Sequence, residues 1–177
     1  MAGNMKAVKL RIKSVQSTMQ ITKAMELVAS SKLRKAKERA ETCRPYFTEL
    51  HETLKDIARE NIDFSSVYAR ESSNPRYCYV AIAGDRGLAG GYNAKCLEAA
   101  AEGKDYVVLP IGKKAVEYFR QRGIECLTDK FAEIADISVA DCFEIANLLC
   151  EEFRKGTFGH IELCYTVFTS MLSQQPE

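Results

Sequence analysis

An apolar residue recurs along the N-terminal part of the chain at alternating steps of four and three residues, which is the seam of a heptad repeat. The seam occupies fifteen positions from Val8 to Ile57, and only two of them, Thr22 and Glu26, are polar. A stripe this narrow is typical of a helix that pairs with another helix, because a helix laid on a globular core needs a wider apolar face. The sequence therefore predicts a long helix of coiled-coil type over residues 1–60.

A proline stands inside this repeat, at position 45. Proline removes one backbone hydrogen bond of a helix and its ring clashes with the preceding turn. We therefore expect Pro45 to kink or interrupt the helix, although the seam resumes in phase at Phe47.

The basic residues of the chain are concentrated beside the seam. Residues 1–44 carry eleven lysines and arginines against three acids, whereas the remaining 133 residues carry 14 basic and 21 acidic residues. None of the eleven basic residues occupies a seam position. An asymmetry of this size is typical of a basic arm that meets an acidic partner, and ordinary solvation of a charged helix face is the alternative.

The rest of the chain follows a different pattern. Residues 61–75 lose the heptad and gain Ser, Asn and Pro, which predicts a linker. Over residues 76–170, apolar runs typical of buried strands alternate with helical segments, and this predicts a doubly wound α/β domain with a mainly parallel sheet. The predicted strands are 76–84, 105–112, 123–128 and 160–168, and the predicted helices are 93–101, 113–122 and the segment from its cap Ser138 to its stop at Gly156.

The residue types that carry most chemistry are scattered. Seven cysteines form no CxxC pair and mostly sit inside apolar runs, which predicts reduced thiols in a cytosolic compartment. His51 and His160 lie far apart, with no neighbouring cluster at the spacing of zinc ligands. No motif pairs a nucleophile with a base, so we predict a non-catalytic chain with no cofactor and no metal. No apolar run approaches the roughly 18 residues of a membrane-spanning helix.

A glycine-rich loop, AGDRGLAGGYN, follows the first predicted strand. Glycines between a strand and a helix are what a phosphate cradle needs, because backbone N–H groups must approach the anion closely. Their spacing matches neither GxGxxG nor GxxxxGK[ST], and Asp85 would repel a phosphate. The residues favour a structural or partner-contact loop, and a small nucleotide-binding protein is the alternative.

The basic helix also suggests a nucleic-acid-binding module. Against this interpretation, no aromatic residue interleaves with the basic residues before Tyr46. The basic residues also run alongside the seam, whereas a bZIP helix carries its basic block outside the zipper. We therefore predict that the chain has no nucleic-acid partner.

Four segments, in this order and at these separations, resemble one family. They are MAGNMKAVKLRIKSVQSTMQITKAMELVASSKLRKAKE, RPYF, GDRGLAGGYN and VFTSMLSQQP. They resemble the gamma subunit of the rotary ATP synthase, with a looser match between residues 95 and 155. The resemblance implies a long N-terminal helix and a Rossmann-like α/β domain. It also implies that residues 171–177 stand where a family chain continues for roughly another third of its length. That continuation includes a long returning helix, which pairs with the seam.

The resemblance also implies a function and a set of contacts. Family members form the central shaft that turns inside the ring of catalytic subunits, driven by proton or sodium flow through the membrane rotor. The implied partners are the catalytic and non-catalytic ring subunits, an epsilon-type stalk subunit and the membrane rotor ring, at the cytoplasmic face of a bacterial-type cell membrane. The implied partner-contact residues are Lys23, Met25, Lys32 and Arg34 on the helix and Asp85, Arg86 and Leu88 in the loop that ends at Gly91.

A seam without a partner helix predicts that the isolated chain either self-associates or leaves much of this segment frayed. Burying each Leu, Ile, Val, Met or Phe side chain is worth roughly 1.5–3 kcal/mol, whereas an isolated helix is only marginally stable. We expect residues 8–57 either to pair with a second copy or to fray, and we favour antiparallel pairing because it sets the basic half against Glu49, Glu52 and Asp56. Light scattering against concentration, with helicity followed by circular dichroism, tests this expectation. A monomer with an ordered N-terminal helix at every concentration would contradict it.

Overall fold

The chain divides into two compact units, Met1–Phe64 and Ser65–Glu177. A computed structural model describes residues 2–60, 66–68, 72–100, 105–133, 137–170 and 173–177. The linker predicted at 61–75 lies for the most part outside the described residues, so it stays a prediction.

The first unit contains one α-helix, α1 (Ala2–Glu60). The side chains described along it are exposed, apart from the half-buried Leu33, and seam residues such as Ile12 and Phe47 keep more than half of their surface in water. Of the two outcomes predicted at Pro45, the interruption does not occur, because α1 continues through this residue, and the kink stays a prediction. A proline inside a helix costs roughly 3 kcal/mol.

A three-stranded parallel sheet forms the centre of the second unit. Strand β1 (Tyr77–Ile82) lies between β2 (Tyr106–Ile111) and β3 (His160–Cys164), and it is parallel to both. The register places Tyr77 opposite Tyr106 on one side and opposite His160 on the other. The predicted α/β fold with a mainly parallel sheet is confirmed.

Helices cover both faces of this sheet. They are α2 (Tyr92–Ala100), α3 (Lys113–Gln121) and α4 (Val139–Lys155). Successive strand residues point to opposite faces, so Tyr79 and Ala81 pack with residues of α2 and α3, while Cys78 and Val80 pack with residues of α4. Strands β1 and β2 lie between the two apolar layers, and their central residues are buried.

The ends of α4 agree with the sequence prediction. The Ser138 hydroxyl accepts a hydrogen bond from the Asp141 N–H at 3.3 Å, and the Asp141 carboxylate accepts one from the Ser138 N–H at 2.8 Å, which together form a capping box. The pKa of Asp141 is lowered because its carboxylate accepts a hydrogen bond from the Ser138 hydroxyl at 2.6 Å and a second from the Ser138 N–H. Gly156 ends the helix in the left-handed conformation, with φ of 77°.

The segment predicted as a third strand, 123–128, makes only one bridge, between Val108 and Cys126. The chain then turns away from the sheet, because Phe131 is buried and its carbonyl accepts a hydrogen bond from the Gly112 N–H at 2.9 Å. A longer strand at this edge would leave that aromatic ring in water.

The strand predicted at 160–168 is divided at Tyr165. Its first part is β3, and its second part, β4 (Thr166–Phe168), pairs antiparallel with β5 (Gln174–Pro176) in a separate two-stranded sheet. The strand divides at Tyr165 because its neighbour β1 ends at Ile82. Beyond Tyr165, no strand among the described residues continues β1 on that side of the chain.

We predict that Gly112→Ala strongly destabilises the α/β unit. A Cβ atom at Gly112 would lie 1.9 Å from the Ala83 carbonyl oxygen, and the backbone there has φ of +95°. With ψ of 147°, this conformation is essentially restricted to glycine and costs another residue of order 1–3 kcal/mol, and the clash adds to this cost. Gly123→Ala is the matched control, because Gly123 has φ of +65° but an added Cβ would meet nothing within 4 Å. Urea unfolding followed by tyrosine fluorescence measures both, and equal losses of stability would contradict the prediction.

Candidate partner-contact surfaces

The four contact residues predicted on α1 flank the seam on both of its sides. At about 3.6 residues per turn, Lys23 and Arg34 are separated by just over three full turns and share one side. Met25 and Lys32 are separated by nearly two turns and share the other side. The helix therefore arranges these residues as two rows with the apolar seam between them, and not as one patch.

The positive charge of α1 is only partly neutralised within the helix. Arg34 lies 3.7 Å from Glu38 and Lys37 lies 3.7 Å from Glu41, and both pairs are exposed. Exposed pairs of this spacing contribute only a few tenths of a kcal/mol. These two glutamates are two of only three acids in residues 1–44. Most of the basic side chains in this region consequently face water without an acidic partner among the described residues, Lys23 and Lys32 included.

The base of the glycine-rich loop is held by two side chains. The Asp85 carboxylate accepts a hydrogen bond from the Lys113 N–H at 3.2 Å, at the first residue of α3. Asn93 accepts a hydrogen bond from the Gly84 N–H at 2.8 Å and donates one to the Arg86 carbonyl at 3.4 Å. The loop is therefore tied to the amino-terminal ends of both α2 and α3.

The tip of the loop presents Arg86 and Leu88 to solvent. Arg86 is exposed, and Leu88 is 100% exposed. Leu88 also has φ of 62°, the left-handed conformation that a branched side chain rarely adopts. Backbone strain of this kind persists only where the surrounding structure enforces it, and it often occurs at functional sites. The full exposure of Leu88 and its strained backbone therefore make it a candidate contact residue.

Sequence reasoning missed one residue of this loop and misjudged the surroundings of another. Asn93 was not predicted to matter, although an amide side chain in the first turn of a helix is a recognisable signal for a bond back to the preceding loop. Asp85 is half-buried against α3, where its negative charge lies at the positive end of the helix dipole. Its direct role is to hold the loop.

The geometry of the loop does not resemble a phosphate cradle. A Cβ atom added at Gly87 or Gly90 would meet nothing within 4 Å, so neither glycine is needed for a close approach of protein atoms. The amino-terminal end of α3, where an anion would otherwise bind, already carries the Asp85 carboxylate. Within the described residues, no three His, Cys, Asp or Glu side chains are grouped so that they could hold a metal ion.

The buried cysteines do not have the environment of catalytic thiols. Burial raises the pKa of Cys78 to about 12 and that of Cys164 to about 11. A nucleophilic cysteine needs the opposite shift, because the thiolate is the reactive form. Both side chains belong to the apolar layers of the sheet, which agrees with their interpretation as small hydrophobic residues.

Comparisons with known proteins agree on one family. The family described as ATP synthase matches residues 4–177. A relative named ATP synthase gamma chain, from Ruminococcus albus, is 48% identical over 99% of this chain and 64% of its own length. A second of the same name, from Alkaliphilus metalliredigens, is 40% identical over 99% of this chain and 62% of its own length.

A third relative differs in its name. It is the ATP synthase gamma chain, sodium ion specific, of Acetobacterium woodii, and it is 36% identical over 100% of this chain. The chain covers 60% of that relative's length, and so spans less than two thirds of each of these three relatives. None of the helices in the described part of the chain combines the length and apolar character that crossing a bilayer requires.

We predict that the glycine-rich loop binds no nucleotide. The Asp85 carboxylate at the start of α3 would oppose a phosphate placed there, and the glycine spacing is that of no phosphate-binding motif. Calorimetry with ATP, ADP and NAD should show no saturable heat. A micromolar site that is lost in Gly87→Ala would contradict the prediction, because an added methyl group there meets nothing in the protein.

Proposed function

Because the chain belongs to the ATP synthase gamma-chain family, we propose that it is the non-catalytic central-stalk subunit of a rotary ATP synthase, which couples ion-driven rotation to ATP synthesis in the catalytic ring. The observation that carries this proposal is α1: a continuous helix of 59 residues whose apolar seam is flanked on both sides by basic side chains. A shaft needs such a rod, because torque is transmitted only by an element that keeps its shape.

In this proposal the basic rows of α1 meet the ring. Lys23, Met25, Lys32 and Arg34 contact acidic and apolar groups of the catalytic subunits, and their exposure supports this role. Charges at the rim of an interface steer association and fix register more than they add affinity. The unpaired ammonium groups of Lys23 and Lys32 suit a surface that must move past successive partners without adhering to any one of them.

The glycine-rich loop forms the second contact in this proposal. Leu88 supplies an apolar anchor and Arg86 a charge, while Asp85 keeps both in position through its hydrogen bond to Lys113. Side chains on a braced loop lose little conformational entropy on binding, which favours a contact that forms and breaks repeatedly.

The remaining parts of the proposal concern the assembly. The partners are the catalytic and non-catalytic ring subunits, the epsilon-type stalk subunit and the membrane rotor ring, with no nucleic acid and no cofactor. The chain is a peripheral component at the cytoplasmic face of the membrane. The coupling ion is a proton or sodium, and the sodium-specific name of one relative applies to that relative.

We predict that the double charge reversal Lys23→Glu with Lys32→Glu weakens binding of the chain to the assembled ring subunits by about tenfold or more, equivalent to about 1.4 kcal/mol. The effect should be larger at low salt, because exposed charges are screened within about 8 Å at physiological ionic strength. Surface plasmon resonance at several salt concentrations, with the ring subunits immobilised, measures both quantities.

Lys55→Glu is the matched control, since Lys55 lies on the same helix and is already within 3.5 Å of Glu52. Circular dichroism must show the same helicity for all variants. Unchanged binding of the double variant, or an equal loss in the control, would show that these two residues do not form the contact.

A further inference from the structure

The glycine-rich loop leaves the end of β1 and returns to α2 with its two arms in contact. The first arm is residues 84–86, and the second arm is residues 89–93. The Asn93 Oδ1 atom lies 2.8 Å from the Gly84 nitrogen, so one side-chain amide joins two positions that are nine residues apart. Compact surface loops whose ends are held together by their own side chains are frequently functional.

Both halves of the Asn93 amide are used across this junction. The Gly84 N–H can only donate, so the side-chain atom that faces it must be the carbonyl oxygen. The Nδ2 group then faces the Arg86 carbonyl, to which it donates at 3.4 Å. An ionised aspartate of the same shape has two acceptors and no donor. Among side chains of this size, therefore, only the amide satisfies both positions.

Gly84 is held on both of its backbone groups. Its N–H donates to Asn93, and its carbonyl accepts a hydrogen bond from the Lys114 N–H at 3.1 Å. A Cβ atom added at Gly84 would lie 3.3 Å from Asn93 Oδ1, so the amide packs tightly against this backbone. Movement of the first arm at Gly84 therefore breaks a hydrogen bond to α2 or to α3.

Asp85 and Asn93 restrain different parts of the loop. Asp85 joins the first arm to the start of α3, and that contact does not reach the second arm. Asn93 joins the two arms to each other. Within the second arm, the Tyr92 N–H donates to the Ala89 carbonyl at 3.2 Å. Leu88, between the arms, makes no backbone hydrogen bond within the described part of the chain, so its direction depends on the closure of the arms.

We propose that Asn93 is the positioning residue of this loop, and that its amide sets the direction in which Arg86 and Leu88 meet a partner. The inference rests on the contact role proposed above for the loop. When a partner binds only the closed loop, its apparent affinity is reduced in proportion to the fraction of chains in which the loop is closed. Asn93 increases that fraction, and so contributes to binding without touching the partner.

Asn93→Asp separates this role from support of the fold. The new carboxylate still accepts from the Gly84 N–H, but its second oxygen faces the Arg86 carbonyl and repels it. Its negative charge stands in the first turn of α2, which has no acidic residue and where the helix dipole favours one. We expect the urea midpoint of the α/β unit to stay at its parent value while the loop opens at Arg86. A midpoint lowered as much as in Asn93→Ala would overturn the proposal, because Asn93 would then support the fold.

NMR of the 177-residue chain measures loop closure without a partner. The backbone order parameters of residues 86–88 should fall from about 0.85, typical of a rigid backbone, to below about 0.6 in Asn93→Asp and in Asn93→Ala. Hydrogen exchange of the Gly84 amide should be about tenfold faster in Asn93→Ala only, because alanine alone lacks an acceptor. Asn147→Asp, the same change at an exposed asparagine of α4, is the matched control. Unchanged order parameters in both Asn93 variants would overturn the proposal.

Binding to immobilised ring subunits separates this inference from the contact role itself. Both Asn93 variants should weaken binding by about fivefold, the ratio that corresponds to one typical hydrogen bond, and Asn147→Asp should not. Leu88→Ala tests the contact directly. If Leu88→Ala leaves binding unchanged, the contact role of the loop is wrong, whereas lowered order parameters in the Asn93 variants still confirm that Asn93 closes the loop. If Leu88→Ala weakens binding and the Asn93 variants do not, closure is not needed for the contact and the proposal is overturned.

Discussion

The burial of β1 between two apolar layers is the constraint on which the rest of the second unit depends. Cys78 and Ala81 have no exposed surface, although they point to opposite faces of the sheet. A strand buried on both faces has no water to satisfy its backbone, so it needs a neighbouring strand on each side. Parallel neighbours require crossover connections, and α2, α3 and α4 lie along those connections.

Ion pairs between one arginine and two carboxylates link the amino-terminal ends of β1 and β2. Arg76, immediately before β1, donates to Asp105 at 3.2 Å and to Glu125 at 2.7 Å. These two carboxylates stand at the start of β2 and on the segment that bridges its outer edge, so one guanidinium ties three segments together. The hydrogen bond to Glu125 is the main reason that the pKa of Arg76 is raised. Both acids are largely exposed, so the arrangement contributes more to register than to stability.

At the other end of β1, close packing positions the proposed contact loop. Gly112 allows the backbone to approach Ala83, and Asp85 then reaches the first N–H of α3. The exposed Leu88 is therefore carried on a base that the sheet itself determines. The proposed contact residues on α1 follow a different rule, because their placement depends only on helical periodicity around the seam. One proposed contact surface is therefore positioned by tertiary packing, and the other by the repeat of a single helix.

Local patterns in the sequence determined the elements of this protein. The heptad predicted α1, Ser138 and Gly156 predicted the two ends of α4, and the alternation of apolar runs predicted a parallel sheet, because each pattern depends on residues close together along the chain. Tertiary structure alone decided the order β2-β1-β3, the single bridge at Cys126, the division at Tyr165 and the role of Asp85. Each of these depends on a partner far away in the sequence: Val108 for Cys126, Lys113 for Asp85 and the end of β1 for Tyr165. Register and edges are decided by which distant groups become buried together, and no local pattern of residues contains that information.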